Sequence, residues 1–539
     1  MKSKLKQTES VWMESQQLPA QATLDSDMTV DVCIVGAGIA GLTTSYLLLR
    51  EGKSVVVLDD GLIGGGQTQR TTAHLSNAID DRYVEIENWH GHDGARLAAE
   101  SHTAAIDRIE DIILQEKIGC DFSRLDGYLF APPDNALNFL EYELEAARRA
   151  GLTHVEMVAR APLANFETGD CLRFPQQAQF HPLKYLAGLT AAILRLGGKI
   201  YTQTHAQQIA SGPPASIRSS QGFTVTADSV VVATNSPFND RLAIHTKQAA
   251  YTSYVVAFGV PKGSVTKALY WDTENPYHYV RLQTLASNES TNGKRLGDPL
   301  TEELLIVGGE DHRTGQADDA EERYRRLEEW TRRRFPVNGE IRCQWSGQIL
   351  ETMDGLAFIG RNPLDTPNVF VATGDSGQGM THGTIAGILL TDLIVGRPNH
   401  WVDLYDPARK TLRAAERFLQ ENLNTALQYR AWVTGGDVAS TEEITLGTGA
   451  VVRRGLTKVA AFRDENGILH ECSAVCPHLG GLVEWNHNES TWDCPCHGSR
   501  FDKDGHVLCG PANSNLEPIH ADLSHEKTIA DENEILLPH

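Results

Sequence analysis

The run Val30-Asp31-Val32-Cys33-Ile34-Val35 passes straight into Gly36-Ala37-Gly38-Ile39-Ala40-Gly41. The first segment reads as a buried strand, the second as a tight turn that opens a helix. Gly36 allows the turn, Gly38 lets the backbone approach a pyrophosphate, and Gly41 lets helix and strand pack closely. The helix runs to about Arg50, Gly52 stops it, and Ser54 to Leu58 makes the next strand. Asp59 follows, about 20 residues beyond the turn, where an acid can receive a ribose hydroxyl. A GxGxxG in this strand, turn, helix, strand setting predicts a Rossmann-like dinucleotide fold.

Two more glycine-rich segments lie outward from it. Gly64-Gly65-Gly66-Gln67-Thr68-Gln69-Arg70-Thr71-Thr72 is the first. The second, Gly374-Asp375-Ser376-Gly377-Gln378-Gly379-Met380, follows the apolar strand Val369 to Thr373 and precedes a helix ending near Gly396. Between them, Tyr254 to Gly259, Ala268 to Asp272, Tyr277 to Gln283 and Leu304 to Val307 are short strand-like runs separated by Pro, Gly and Asn. They predict an antiparallel sheet over about 240–345. A helix is expected over Gly91 to Lys117, a charged one over Asp318 to Phe335, and another from Pro407 to about Leu427.

With Val230-Val231-Val232-Ala233-Thr234-Asn235 and Met353-Asp354-Gly355-Leu356-Ala357-Phe358-Ile359-Gly360, this ordered series resembles the D-amino-acid oxidase-like flavoproteins over about residues 28–400. The resemblance implies FAD in a Rossmann-like domain beneath an antiparallel substrate sheet. It places Gly36, Gly38, Gly41, Asp59, Gly66, Thr68, Arg70, Gly374, Gly377, Gly379 and Met380 at the cofactor. It also implies substrate contacts from Tyr279 and Arg281, which share one strand face with Tyr277, and His312 and Arg313, just past the next strand, are expected near the flavin, with His312 among the catalytic residues. Arg281 would grip a carboxylate through a bidentate pair. Cys343 and Arg70 fall near positions where relatives attach flavin covalently, but neither matches, so noncovalent FAD is expected. There is no second strand–GxGxxG–helix unit for NADH, so electrons are expected to enter from an organic substrate.

A second constellation stands apart. Cys476-Pro477-His478 is followed, after fifteen residues, by Cys494-Pro495-Cys496-His497. Two thiolates on one iron and two imidazoles on the other describe a Rieske [2Fe–2S] centre, while Cys₂His₂ also suits zinc. The flanks, Cys476-Pro477-His478-Leu479-Gly480 and Cys494-Pro495-Cys496-His497-Gly498-Ser499, look like the two Rieske cluster loops. Gly510-Pro511-Ala512 resembles the loop that covers the cluster. Cys476, His478, Cys494 and His497 are then the metal ligands. High-potential Rieske proteins bridge their loops with a disulfide, but Gly481 stands opposite Cys496 here. Phe501 replaces a tyrosine whose hydroxyl usually reaches a cysteine ligand. Only 42 residues follow His497, too few for the mononuclear iron domain of an aromatic-ring oxygenase.

The chain has 539 residues and a net charge of −22, from 70 acidic and 48 basic residues. That field repels phosphate backbones, which argues against a nucleic-acid partner. No run is long and apolar enough for a signal peptide or a membrane span, so a cytoplasmic protein without an integral membrane segment is expected. The nine cysteines then read as reduced.

The expected organisation is a polar extension over 1–27, an FAD-dependent oxidoreductase over 28–430, and an all-β Rieske domain over 431–539. The expected reaction is dehydrogenation of an amine or amino acid, with electrons leaving singly through the cluster to an acceptor protein. The rivals are an oxygen-using oxidase with a regulatory cluster and a redox carrier or sensor module.

Overall fold

The computed structural model describes residues 8–13, 15–16, 18–132, 136–239, 244–285, 290–291, 294–295, 297–337, 339–363 and 365–519. Residues 1–7 of the expected extension and 520–539 of the expected Rieske domain lie outside them.

The first strand, Met28–Val35, is the centre of a sheet. Parallel neighbours are Thr224–Val232 on one side and Val55–Leu58 on the other. Val369–Thr373 and Lys199–Tyr201 extend the sheet in parallel on either side, and Phe358–Arg361 adds an antiparallel edge. The strand order reverses at Met28–Val35, so a crevice opens at the carboxyl ends beside Gly36. Strands buried on both faces suit the Val- and Ile-rich runs seen there. The helices Ile39–Arg50 and Gly379–Val395 pack on one another over this sheet.

A second, nine-stranded sheet carries the long strands Gln248–Pro261, Glu302–Arg313 and Ile341–Thr352 with His278–Thr284. These four pair antiparallel, while Leu269–Asp272 runs parallel to Ser123–Phe130. Beyond residue 435 follow a three-stranded and a four-stranded sheet with their own core around Trp485, Trp492 and Phe501. Among the described residues, no helix is long and apolar enough to cross a membrane.

Three local expectations change. The helix expected from Gly91 runs over Tyr83–Glu116, with a break at Gly91, whose φ is 73°. The last helix of the flavin region begins at Ala415 rather than Pro407. The intervening chain is held otherwise: Arg409 and Thr411 both bond Asp354, and Lys247 Nζ donates to the carbonyls of Pro407 and Arg409. The N-terminal segment is also no mere appendage. Val11 and Trp12 are buried in the main core, and Trp12 Nε1 donates to Thr71 O at 2.6 Å.

Candidate active site and metal centre

A cavity of about 910 Å³ runs from the first glycine turn to the antiparallel sheet. Gly36, Gly38, Asp59, Gly66, Thr68, Arg70, Gly374, Gly377, Gly379 and Met380 all line it. Gly41 does not, because it serves packing: a Cβ there would lie 1.9 Å from Gly36 O. Gly36 itself has φ 108°, and its Cβ would meet Ala233 O at 2.4 Å. Only glycine satisfies both demands. Burial pushes Asp59 up to about 6, although Ala37 N and Gly61 N both donate to its carboxylate.

FAD fits this groove. Its size is that of a cofactor cavity. Ser236 Oγ and His382 Nε2 belong to lining residues and are buried without a hydrogen-bond partner among the described residues. A polar ligand along the groove would supply them.

At the sheet end the lining residues are His74, Ser76, Asp80, Ser253, Trp271, Tyr277 and Tyr279. Tyr279 bonds Ser253 Oγ at 2.8 Å and lies 5.7 Å from the ring of Tyr277. Gly308 is directly opposite Tyr279, and a Cβ there would sit 2.2 Å from its ring. Asp80 presses on the main chain at Gly377, 2.2 Å from where a Cβ would stand. Burial raises Asp80 to about 7 and Asp311 to about 6. Asp311 Oδ1 is buried with no hydrogen-bond partner among the described residues.

Two expected substrate residues are not there. Arg281 is buried, and its Nη1 donates to the carbonyls of Thr72, Ala73 and Phe180 at 2.9–3.1 Å. Trp12 covers its guanidinium at 5.4 Å. The alternation with Tyr279 is correct, but the side chain ties loops together and does not line the cavity. His312 also misses it. Its ring stacks on Tyr254, 5.7 Å away, next to Tyr324 on the other side of the sheet. The adjacent Asp311 turns to the inner side, where it reaches Ser253 without itself lining the cavity. Asp80, Ser253 and His74, which line the cavity, were not anticipated, nor was Asp311 next to Ser253. Of these, only Asp311 had a local signal, as the alternate neighbour of His312 in the strand Glu302–Arg313.

In the C-terminal module, the hairpin loops bring Cys476, Cys494, His478 and His497 together. The two cysteines are buried, and their mutual contact with burial drives the Cys476 thiol far up. The two imidazole rings are 4.9 Å apart. Among the described residues, no three of these donors lie within 4.8 Å of one another, the spread a single ion allows. Two donors per iron on a two-iron cluster fit that spread better than one zinc does. Ser499 Oγ accepts from Ala512 N at 3.0 Å and also reaches Cys476. A Cβ at Gly481 would lie 2.6 Å from Cys496 Sγ, so this close approach replaces the usual bridge.

The ligand loops face the flavin region. His245, from the chain leading into the antiparallel sheet, packs edge-on against His478 at 4.8 Å and against His497 at 6.0 Å. Gln348 lines the cavity, its N donates to Gln67 Oε1 at 2.8 Å, and its Nε2 donates to Gly498 O at 2.8 Å. Two hydrogen bonds therefore connect the groove residue Gln67 to Gly498, the residue after His497.

The model for "FAD dependent oxidoreductase" matches residues 31–393, more than half of the chain. The chain belongs to this FAD-dependent oxidoreductase family. The model for "Rieske [2Fe-2S] domain" matches residues 435–520. It is therefore an FAD-dependent oxidoreductase that carries a C-terminal Rieske [2Fe–2S] domain, and its cofactors are FAD and the cluster. YhfW of Bacillus subtilis (strain 168), by its name a Rieske 2Fe-2S iron-sulfur protein, is 32% identical over 95% of this chain and 98% of its own length. Gamma-glutamylputrescine oxidoreductase of Escherichia coli (strain K12) is 29% identical, covering 69% of this chain and 85% of that one. The solved glycine oxidase from Geobacillus kaustophilus shares the fold of the flavin region. Its TM-score is 0.56 at 18% identity, over 71% of this chain and 99% of that one.

Proposed function

We propose that this FAD-dependent oxidoreductase dehydrogenates an amine at the sheet end of the groove and delivers the electrons singly, through the Rieske cluster, to an external acceptor protein. Bound FAD supplies two-electron oxidation of a carbon–nitrogen bond, and the cluster supplies one-electron transfer. In this reading the groove-lining residues named above hold FAD, while Cys476, His478, Cys494 and His497 hold the iron.

The observation that carries the exit route is the bridge Gln67–Gln348–Gly498, with His245 against both ligand imidazoles. An oxygen-using oxidase is favoured by a cation near the flavin, which stabilises developing superoxide charge. Among the described residues no lysine lines the cavity. The lining Arg70 faces Glu489 at 3.3 Å, and Arg313 is engaged elsewhere, with Glu421 at 2.6 Å. Both points favour the cluster as electron exit. The direct test is anaerobic. Amines that bleach the flavin should bring up the electron-resonance signal of the reduced cluster in the same sample. Bleaching without that signal would support an oxidase or an unconnected cluster.

An amine is favoured over an amino acid by charge. With Arg281 committed to carbonyls, Arg70 is the one lining arginine among the described residues, and it faces Glu489 at 3.3 Å. At the sheet end, Asp80 instead offers a lining carboxylate to a cation. The E. coli relative is named for an amine substrate, which agrees. Asp80→Asn is expected to raise KM for a cationic amine about 10- to 100-fold, for a charged hydrogen bond of about 1.5–3 kcal/mol. The rate at saturation should change far less. Equal KM values in both proteins would remove Asp80 from the substrate site.

A further inference from the structure

Residues 507–510 and 512–515 belong to the cluster module, yet they line the same cavity as Gly36, Asp59 and Asp60. They are fastened to the flavin region. Asn513 Nδ2 donates to Ala206 O at 3.2 Å and to Gln207 O at 2.9 Å. Asn513 O meets His205 Nε2 at 3.2 Å, and His205 Nδ1 lies 3.5 Å from Asp60. Gly510 comes so near Ser236 that a Cβ would stand 3.1 Å from its carbonyl oxygen. Cys509 Sγ donates to Gln348 Oε1 at 3.3 Å.

Two apolar side chains on this wall remain open. Leu62 of the flavin region is 61% exposed and Leu508 of the cluster module 47%. Both line the cavity with Asp59 and Asp60. Asp59 marks the ribose position of a dinucleotide, so the base belongs beside it. A flat heteroaromatic ring there would bury both leucines.

We propose that the cluster module is part of the FAD site. Its segment 507–515 closes the groove over the adenosine end, with Leu508 against the base and Asn513 anchoring the loop. FAD then touches both modules at once. By linkage, whatever factor the docked module adds to FAD affinity, FAD adds to docking. This inference concerns cofactor binding alone and does not rest on the electron route proposed above.

The test uses full-length protein stripped of FAD with its cluster intact, titrated with FAD by flavin fluorescence. The double variant Leu508→Ser with Asn513→Ala should bind FAD at least about tenfold more weakly than the parent, with an unchanged cluster electron-resonance spectrum. In the parent, FAD should slow amide hydrogen exchange across 507–515. Affinity within about twofold of the parent, with the spectrum intact, overturns the proposal. If the variant loses its cluster, the parent's exchange decides: protection upholds the proposal and unchanged exchange overturns it. Substrate enters neither measurement, so failure here is separable from failure of the amine dehydrogenase reading.

Discussion

Cys494→Ser should end substrate-driven reduction of a one-electron dye while substrate still bleaches each flavin that remains bound. Cys494 is buried beside Cys476 in the cluster loops, and serine is a poor substitute for a thiolate on iron. The sheet end of the groove, around Tyr279 and Asp80, where the proposed substrate would bind, is built from residues other than the proposed cluster ligands. The half-reaction at the flavin therefore survives and the exit does not. The measurement is stopped-flow under anaerobic conditions, with rates expressed per bound flavin. That normalisation matters because the cluster module also walls the groove. Should the variant reduce the dye as fast as the parent, electrons leave the flavin directly and the cluster has another role. Stoichiometric peroxide at equal rates from both proteins would favour the oxygen-using oxidase.

The sequence was informative where chemistry demands a local pattern. A turn that must approach a pyrophosphate needs Gly36 and Gly38 in order, and a two-iron cluster needs cysteine and histidine at close spacing in two loops. Such requirements are written within a dozen residues. Tyr279 was legible for a similar reason, since alternation along a strand gives side-chain direction. Alternation gives direction without reach, however. Arg281 points to the right side and stops in a nest of carbonyls supplied by Thr72, Ala73 and Phe180, far away in sequence. His312 failed by a single residue. The pairing of Gln248–Pro261 with Glu302–Arg313 shifts register between Thr252 and Tyr254, and Gly309 has φ 146°. A one-residue slip exchanges the faces of a strand, so Asp311 takes the inner side.

The contacts between modules were illegible for a stronger reason. Gln348, His245, Asn513 and Glu489 match no spacing rule. Each is an ordinary polar residue that acquires meaning only when two sheets more than a hundred residues apart are brought face to face. The same holds for the N-terminal segment, whose Val11-Trp12 pair is brief and flanked by polar residues. Composition alone describes it as an extension, whereas Trp12 seals Arg281 and Thr8 reaches the cluster module.

Glu489→Ala should be the most damaging single change between the modules. The side chain comes from the cluster module and is buried, with Arg70 Nη1 3.3 Å from its carboxylate. Thr8 N donates to it at 3.1 Å and Ser346 Oγ at 2.5 Å. Burial alone would raise its pKa. Arg70 and Arg500, with the Ser346 and Thr8 hydrogen bonds, outweigh that and hold it below the ordinary carboxylate range. Removing the carboxylate takes the facing negative charge from the buried Arg70 guanidinium, which keeps its bonds to Ser346 O and Thr8 Oγ1, and breaking a buried pair costs about 3–5 kcal/mol in comparable cases. Glu489→Gln keeps a carbonyl acceptor for the hydroxyls but loses the charge, so its loss should be smaller than that of the alanine variant. The sign of the pH dependence follows from the depressed pKa. Glu489 contributes its full stabilisation above the pKa it has in the unfolded chain, and that contribution fades as pH falls through its lower folded value. The parent's advantage over Glu489→Ala in chemical denaturation should therefore be large near neutrality and shrink in acid. An advantage that is small at neutral pH, or that does not shrink in acid, would mean that the modules are held by their other contacts and not by this ion pair.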